Sequence, residues 1–151
     1  MLIVVFSDSH GDIEPMRAAL RAKRPELCLH LGDHDSDLDT VRAEFPEIAF
    51  RAVRGNCDFG SASELYETFT AEGVSVFMTH GHGYNVKYTL DSLANAAHFS
   101  GAALALYGHT HISDYRKMGD VTLFNPGAVK SGSYGLITVS EGSFSCRLEA
   151  L

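Results

Sequence analysis

Five short polar segments of this sequence each place a glycine beside side chains that bind metals. Their potential ligands are aspartate, histidine and asparagine, with no thiolate among them. This set suits Mn²⁺, Fe, Zn²⁺ or Ni²⁺ better than an all-oxygen Mg²⁺ or Ca²⁺ cage or an iron–sulfur cluster. The segments are Asp8-Ser9-His10-Gly11, Gly32-Asp33, Gly55-Asn56, His80-Gly81-His82 and Gly108-His109-Thr110-His111.

Each segment follows an apolar run that predicts a buried β-strand, at residues 2–6, 26–31, 48–53, 74–79 and 102–107. In open α/β sheets, ligands bind beyond the carboxyl ends of the strands, where several loops converge. Taken singly, an Asp or Asn after a strand is typical of a turn or a helix cap. Five strand ends that repeat the pattern favour one shared metal site.

Helical spacing of apolar residues predicts three helices between these strands. The first has Ile13, Met16 and Leu20 on one face and Asp12 as its N-cap, and the second spans 36–45. The third has Val86, Leu90, Leu93 and Ala97 on one face and ends at Gly101. Further β runs are predicted at 64–70, 114–118, 121–124, 134–139 and 144–148. This order predicts an α/β domain over residues 1–151, with a mixed central sheet and helices on its faces.

Composition narrows the class of protein. The 151 residues are 45% hydrophobic and 21% charged, as in ordinary globular domains. No apolar run exceeds six residues, and a membrane helix needs about 20, so we expect neither a span nor a signal peptide. The net charge of -7 disfavours nucleic-acid binding unless a metal reverses it locally. Three widely spaced cysteines fit a reducing cytoplasm, where we expect the protein to reside.

The order and kind of the five segments resemble the signature of the calcineurin-like metallophosphoesterases. Chain length and the segments Gly55-Asn56-Cys57-Asp58, Thr79-His80-Gly81-His82 and Asn125-Pro126-Gly127 resemble the small YfcE-type phosphodiesterase family, over almost the whole chain. The resemblance implies a four-layer α-β-β-α sandwich of two mixed sheets flanked by helices. It also implies a dinuclear metal centre, with one metal on Asp8, His10 and His111, a second on Asn56, His80 and His109, and Asp33 bridging both.

The activity that this resemblance implies is hydrolysis of a small phosphoester, preferably a diester, by a metal-bridging hydroxide. Two metals about 3.5–4 Å apart lower the pKa of a shared water and clamp the phosphoryl group. Manganese is the first expectation, with zinc, nickel and iron as alternatives. No Ser or Cys stands at motif spacing from a base, so we expect no protein nucleophile. Family members are often dimers or larger, so a homo-oligomer is a further expectation.

Three residues beside the ligands have open roles. Many superfamily members carry a leaving-group histidine where this chain has Cys57, which either contacts substrate or is a small buried residue without chemistry. Asp58 either orients a histidine or water, or caps a turn. His82 either supports the ligands or faces substrate. We assign Asn56, Asp58 and His80 to catalysis and Cys57 and His82 to substrate binding. The remaining histidines, His30, His34 and His98, are interpreted as structural or solvated.

The resemblance also leaves a different class of function open. The retromer subunit of the same fold is a non-catalytic protein-interaction scaffold whose metal site has lost ligands. Here all seven positions keep a competent side chain, which favours the enzyme. A nucleic-acid-binding module is disfavoured by the acidic charge and by the lack of a basic stripe.

Overall fold

The computed structural model describes residues 1–151 and contains ten strands and three α-helices. The helices are α1 (Glu14–Lys23), α2 (Asp37–Arg42) and α3 (Asp91–Phe99). The strands are β1 (Leu2–Phe6), β2 (Leu27–His30), β3 (Ala49–Ala52), β4 (Tyr66–Ala71), β5 (Val74–Thr79), β6 (Leu104–Leu106), β7 (Asp114–Met118), β8 (Val121–Asn125), β9 (Ser133–Ser140) and β10 (Ser143–Ala150). None of the helices combines the length and the hydropathy needed to cross a membrane.

The strands form two mixed five-stranded sheets, in the orders β10-β9-β1-β2-β3 and β4-β5-β6-β8-β7. Strands β1, β2 and β3 are parallel, as are β5, β6 and β8, and antiparallel strands complete each sheet. The expectation of two sheets is confirmed, and the single central sheet predicted from element order alone is wrong. Strand β1 is buried on both faces, so it needs a packing layer on each side.

Three apolar clusters fill the spaces between four layers. Alternate residues of β1 point to opposite sides, so Ile3 packs between the two sheets while Val4 packs under α1 and α2. The outer cluster of the second sheet joins Phe77 of β5 to Leu93 of α3. The four-layer α-β-β-α arrangement is therefore confirmed.

The starts and ends of the helices differ from the predictions. Helix α1 begins at Glu14, and its start has no side-chain cap, so the prediction of Asp12 as N-cap is wrong. Helix α2 ends at Arg42, although the predicted apolar positions remain buried. Helix α3 begins after the predicted position Val86. A 3₁₀ turn at His82–Tyr84 is followed by Asn85 with a φ of +54°, so Val86 lies in a loop, although its side chain is buried. Burial of apolar residues at helical spacing thus extends beyond the helices themselves.

Candidate metal centre

The seven predicted ligand residues all lie in the loops that follow five strands, three from one sheet and two from the other. Backbone hydrogen bonds fasten these loops together. The Asp8 N–H donates to the Gly32 C=O at 3.0 Å, and the Gly108 N–H donates to the His80 C=O at 3.0 Å. The loops therefore converge on one edge of the sandwich.

Two glycines make this convergence possible. A Cβ on Gly32 would lie 2.6 Å from the Gly55 nitrogen and 2.9 Å from His80 Nδ1, and its φ of +99° disfavours any side chain. A Cβ on Gly108 would collide with the Ser7 hydroxyl and lie 3.0 Å from Asp8 Oδ2. Larger residues at these positions would push the strand ends apart.

Five of the seven predicted ligands adopt left-handed backbone conformations. Their φ angles are +54° for Asp8, +48° for His10, +60° for Asp33, +70° for His109 and +62° for His111. Such conformations cost roughly 1–3 kcal/mol each for non-glycine residues and concentrate at functional sites. The fold tolerates this strain where it turns these side chains toward a common centre.

One group of potential ligand atoms belongs to Asp8, His10, Asp33 and His111, and all lie within 4.8 Å of one another. His111 Nε2 is 3.1 Å from Asp8 Oδ1, and His10 Nε2 is 3.9 Å from Asp33 Oδ2. His10 Nε2 is buried and has no hydrogen-bond partner. An unpaired buried polar atom costs about 1–3 kcal/mol, and a cation among these atoms would remove that cost.

A second group surrounds the fully buried ring of His80. Its Nδ1 lies 2.7 Å from the Leu31 C=O, so this nitrogen carries the hydrogen and donates it. The other ring nitrogen, Nε2, lies 3.1 Å from Asn56 Oδ1 and 3.1 Å from His109 Nδ1, and with the hydrogen on Nδ1 alone it presents a lone pair to them. A lone pair that faces an amide oxygen is repulsive unless a positive charge lies between them. The second group therefore also fits a cation.

The Asp33 carboxylate lies between the two groups. Its Oδ1 is 3.5 Å from His80 Nε2, and its Oδ2 faces His10. Desolvation by burial opposes ionisation of Asp33, but the Cys57 N–H, which donates to Oδ1 at 2.9 Å, and the neighbouring histidines outweigh it and lower the pKa. Asp33 is therefore a carboxylate with one oxygen toward each group.

Asp58 binds backbone rather than a histidine. Its carboxylate accepts hydrogen bonds from the N–H groups of Asp33 at 2.8 Å, His34 at 2.6 Å, Asp35 at 3.2 Å and Gly55 at 2.7 Å. These bonds hold the loop of Asp33 against the loop of Asn56. Of the two roles considered, these hydrogen bonds are those of a turn cap, and the assignment of Asp58 to catalysis stays a prediction.

Cys57 is exposed, so its interpretation as a buried residue is wrong: the loop after β3 carries it outward. Desolvation and then the Asp33 carboxylate raise its pKa, which keeps the thiol neutral. His82 is half-buried, and its ring centroid lies 5.6 Å from that of His80. Desolvation and then His80 lower the pKa of His82, and its Nδ1 is buried without a partner.

Arg54 escaped the sequence interpretation. Its Nε is buried without a hydrogen-bond partner, and its positive charge contributes to lowering the pKa of His82. The available signal was a basic residue directly before Gly55-Asn56. Arg54 forms no ion pair with a carboxylate.

His30 is structural, as predicted, and it supports the site from behind. Its Nδ1 accepts from the Gly32 N–H at 3.1 Å, so its Nε2 carries the hydrogen and donates to Ser9 Oγ at 2.9 Å. Ser9 in turn donates to Asp37 Oδ2 at 2.6 Å, which also accepts from the Gly11 N–H at 2.9 Å. This chain of hydrogen bonds, buried at His30 and more exposed at Asp37, fixes the loop that carries Asp8 and His10.

Comparisons with known proteins also identify relatives named as phosphoesterases. Residues 1–142 match the model of the calcineurin-like phosphoesterase superfamily domain. The chain is 28% identical to the probable metallophosphoesterase YsnB of Bacillus subtilis, over 97% of this chain and 89% of that protein. It is 31% identical to the phosphodiesterase YfcE of Escherichia coli, over 64% of this chain and 58% of that protein.

Among solved structures, Vps29 of Chaetomium thermophilum superposes with a TM-score of 0.81 at 19% identity, covering 100% of this chain and 97% of that one. This likeness concerns the fold alone. The match of the family model over residues 1–142 shows the family as well as the fold, and it agrees with the resemblance found in the motifs. The chain belongs to the calcineurin-like phosphoesterase superfamily.

Proposed function

We propose that this protein is a metal-dependent phosphoesterase that prefers phosphodiesters. One observation carries the proposal: the three buried side-chain nitrogens that lack a hydrogen-bond partner are His10 Nε2, Arg54 Nε and His82 Nδ1. All three belong to the loops around the candidate metal centre. Because each unpaired atom costs about 1–3 kcal/mol, their convergence supports a site shaped for a cation and an anion that supply the missing partners.

The proposed centre holds two divalent transition-metal ions. Asp8, His10 and His111 would hold one, Asn56, His80 and His109 the other, and Asp33 would bind both. The two oxygens of Asp33 facing the two groups support this division. Such ions supply an activated water near neutral pH and charge stabilisation for the phosphoryl oxygens. The nitrogen and oxygen donors suit manganese, iron, zinc and nickel alike, and manganese is our first proposal because of the resemblance to the family.

The protein's own groups orient the ligands. Asp8 Oδ2 accepts from the Ser7 hydroxyl at 2.5 Å and from the His109 N–H at 3.2 Å, which leaves Oδ1 to face the centre. The hydrogen bond from His80 Nδ1 to Leu31 directs the other ring nitrogen inward. Arg54 and His82 are the groups that we assign to the phosphoryl oxygens, since each has a buried nitrogen without a partner.

A non-catalytic scaffold is the second candidate, favoured by the close likeness in fold to Vps29, a protein named for vacuolar sorting. The complete set of seven competent ligand side chains supports the enzyme instead. A homo-oligomer and a cytoplasmic location remain part of the proposal.

The test is removal of metal with a chelator, followed by addition of Mn²⁺, Zn²⁺ or Ni²⁺. Turnover of bis(p-nitrophenyl) phosphate and of p-nitrophenyl phosphate is then compared. We expect the stripped protein to be inactive and the manganese-loaded protein to favour the diester. Full activity after stripping would refute the metal mechanism, and inactivity with every metal would favour the scaffold.

A further inference from the structure

A groove of about 940 Å³ lies along strand β3 beside the metal centre. His34 and Cys57 line it at the end near the centre, and Ala49 lies at the far end of the strand. Strand β3 is the edge of its sheet, so no further strand covers it. Helix α2 and the loop 57–64 form the walls. Its volume falls at the upper end of the roughly 300–1,000 Å³ of small-molecule sites.

The groove wall carries an aromatic ring that is open to a ligand. Phe59, two residues after Cys57, is 93% exposed. The other phenylalanine of the groove, Phe50, is partly buried against the first sheet's outer cluster, and the Arg42 guanidinium lies 5.7 Å from its ring centroid. Phe59 is thus the ring with uncovered faces. Aromatic rings at such positions stack planar bases.

The charges of the groove limit what can bind beside this ring. Five carboxylates and two guanidinium groups line it: Asp35, Asp39, Asp58, Glu64 and Glu67, with Arg42 and Arg51. Arg51 is already paired with Glu67 at 3.5 Å. An acidic groove repels a second phosphate group. Carboxylates such as those of Asp39 and Glu64 can instead accept hydrogen bonds from sugar hydroxyls.

We propose that this groove binds one ester arm of a phosphodiester, and that this arm is an uncharged nucleoside whose base stacks on Phe59. The inference rests on the proposed function, since the phosphate of the same substrate would lie at the metal centre. The arm would enter the groove past Cys57 and His34. A phosphomonoester has no second arm to place there, so the groove also supplies a physical reason for a preference for diesters.

The test uses p-nitrophenyl phosphodiesters, which share one leaving group and differ in the other arm: methyl, thymidine joined through its 5′ oxygen, the same thymidine with a 3′-phosphate, and choline. We expect the highest kcat/KM for the thymidine ester and a loss when the 3′-phosphate is added. Phe59→Ala should lower the thymidine-to-methyl ratio of kcat/KM by about 5- to 150-fold, the range of base–aromatic stacking. The matched control is Phe99→Ala, because Phe99 is 85% exposed but ends α3, before strand β6.

A binding measurement separates this inference from the proposed function. Thymidine is titrated into metal-stripped protein, and the backbone amide resonances of Phe59 and Gly60 are followed by NMR. Shifts that Phe59→Ala abolishes support the groove even if no ester is hydrolysed. Hydrolysis with equal kcat/KM for the methyl and thymidine esters would overturn the groove and leave the phosphoesterase intact. A choline ester that exceeds the thymidine ester would also overturn it, since the groove would then select a cation.

Discussion

Replacement of Asp58 by alanine should loosen the metal centre without replacing any predicted ligand. The carboxylate of Asp58 accepts four backbone hydrogen bonds of 2.6–3.2 Å, from Asp33, His34, Asp35 and Gly55. Hydrogen bonds to charged groups contribute about 1.5–3 kcal/mol each when isolated. Asp58 is half-buried, and its four bonds are not independent, so we expect Asp58→Ala to lower the free energy of unfolding by about 2–4 kcal/mol.

Asp58→Asn is a graded variant, because its amide keeps one acceptor oxygen and presents an NH₂ group to the other two N–H donors. We expect it to cost about half as much as alanine on the same scale. Urea unfolding of metal-stripped protein measures both, and Asp120→Ala, which removes an exposed carboxylate paired with His98, is the control. Manganese affinity should fall in the same order. The positioning role would be refuted if Asp58→Ala had the same free energy of unfolding and the same manganese affinity as Asp120→Ala.

Three further outcomes follow from individual residues. Asp33→Asn removes the negative charge that lies between the two groups of side chains. Elemental analysis should then find fewer than two manganese ions per chain, and activity should fall by at least about 100-fold. Two bound metals with normal turnover would contradict the bridging role of Asp33. Cys57→His restores a general acid, worth about 10²–10⁴-fold, so kcat/KM should rise for diesters with alkoxide leaving groups and stay level for nitrophenyl diesters. Burial lowers the pKa of His30 to about 4, below its unfolded value of about 6.5, so its contribution is present above pH 6.5 and lost as the pH falls toward 4. From pH 6.5 to pH 4, the free energy of unfolding of the metal-stripped wild type, measured in urea, should fall by about 3 kcal/mol more than that of His30→Gln. An equal fall in the two proteins would contradict the lowered pKa of His30.

The sequence predicts the strands and the loops that carry the candidate ligands, because both signals are local. Strand β5 occupies its predicted range, and apolar runs end directly at the loops that carry Asp8 and His80. Whether the strands form one sheet or two depends on which strands pair, and the order of the elements along the chain does not determine that pairing. The family resemblance supplied that information.

The contacts of the supporting residues could not be predicted, because they join distant segments of the chain. Asp58 binds the amide of Asp33, 25 residues away, and Arg54 is distinguished by a buried nitrogen without a partner. The groove beside Phe59 exists because β3 ends a sheet, which is a property of strand order. Helix α3 begins later than its apolar spacing suggests, since Asn85 takes a left-handed conformation before it.

Metal stoichiometry tests the central claim most directly. Chelator-stripped protein is titrated with Mn²⁺, and bound manganese and hydrolysis of bis(p-nitrophenyl) phosphate are measured on the same samples. The two groups of side chains that share Asp33 predict that activity rises to a plateau at two manganese ions per chain. A plateau at one ion, or activity that does not depend on bound manganese, would contradict the dinuclear centre.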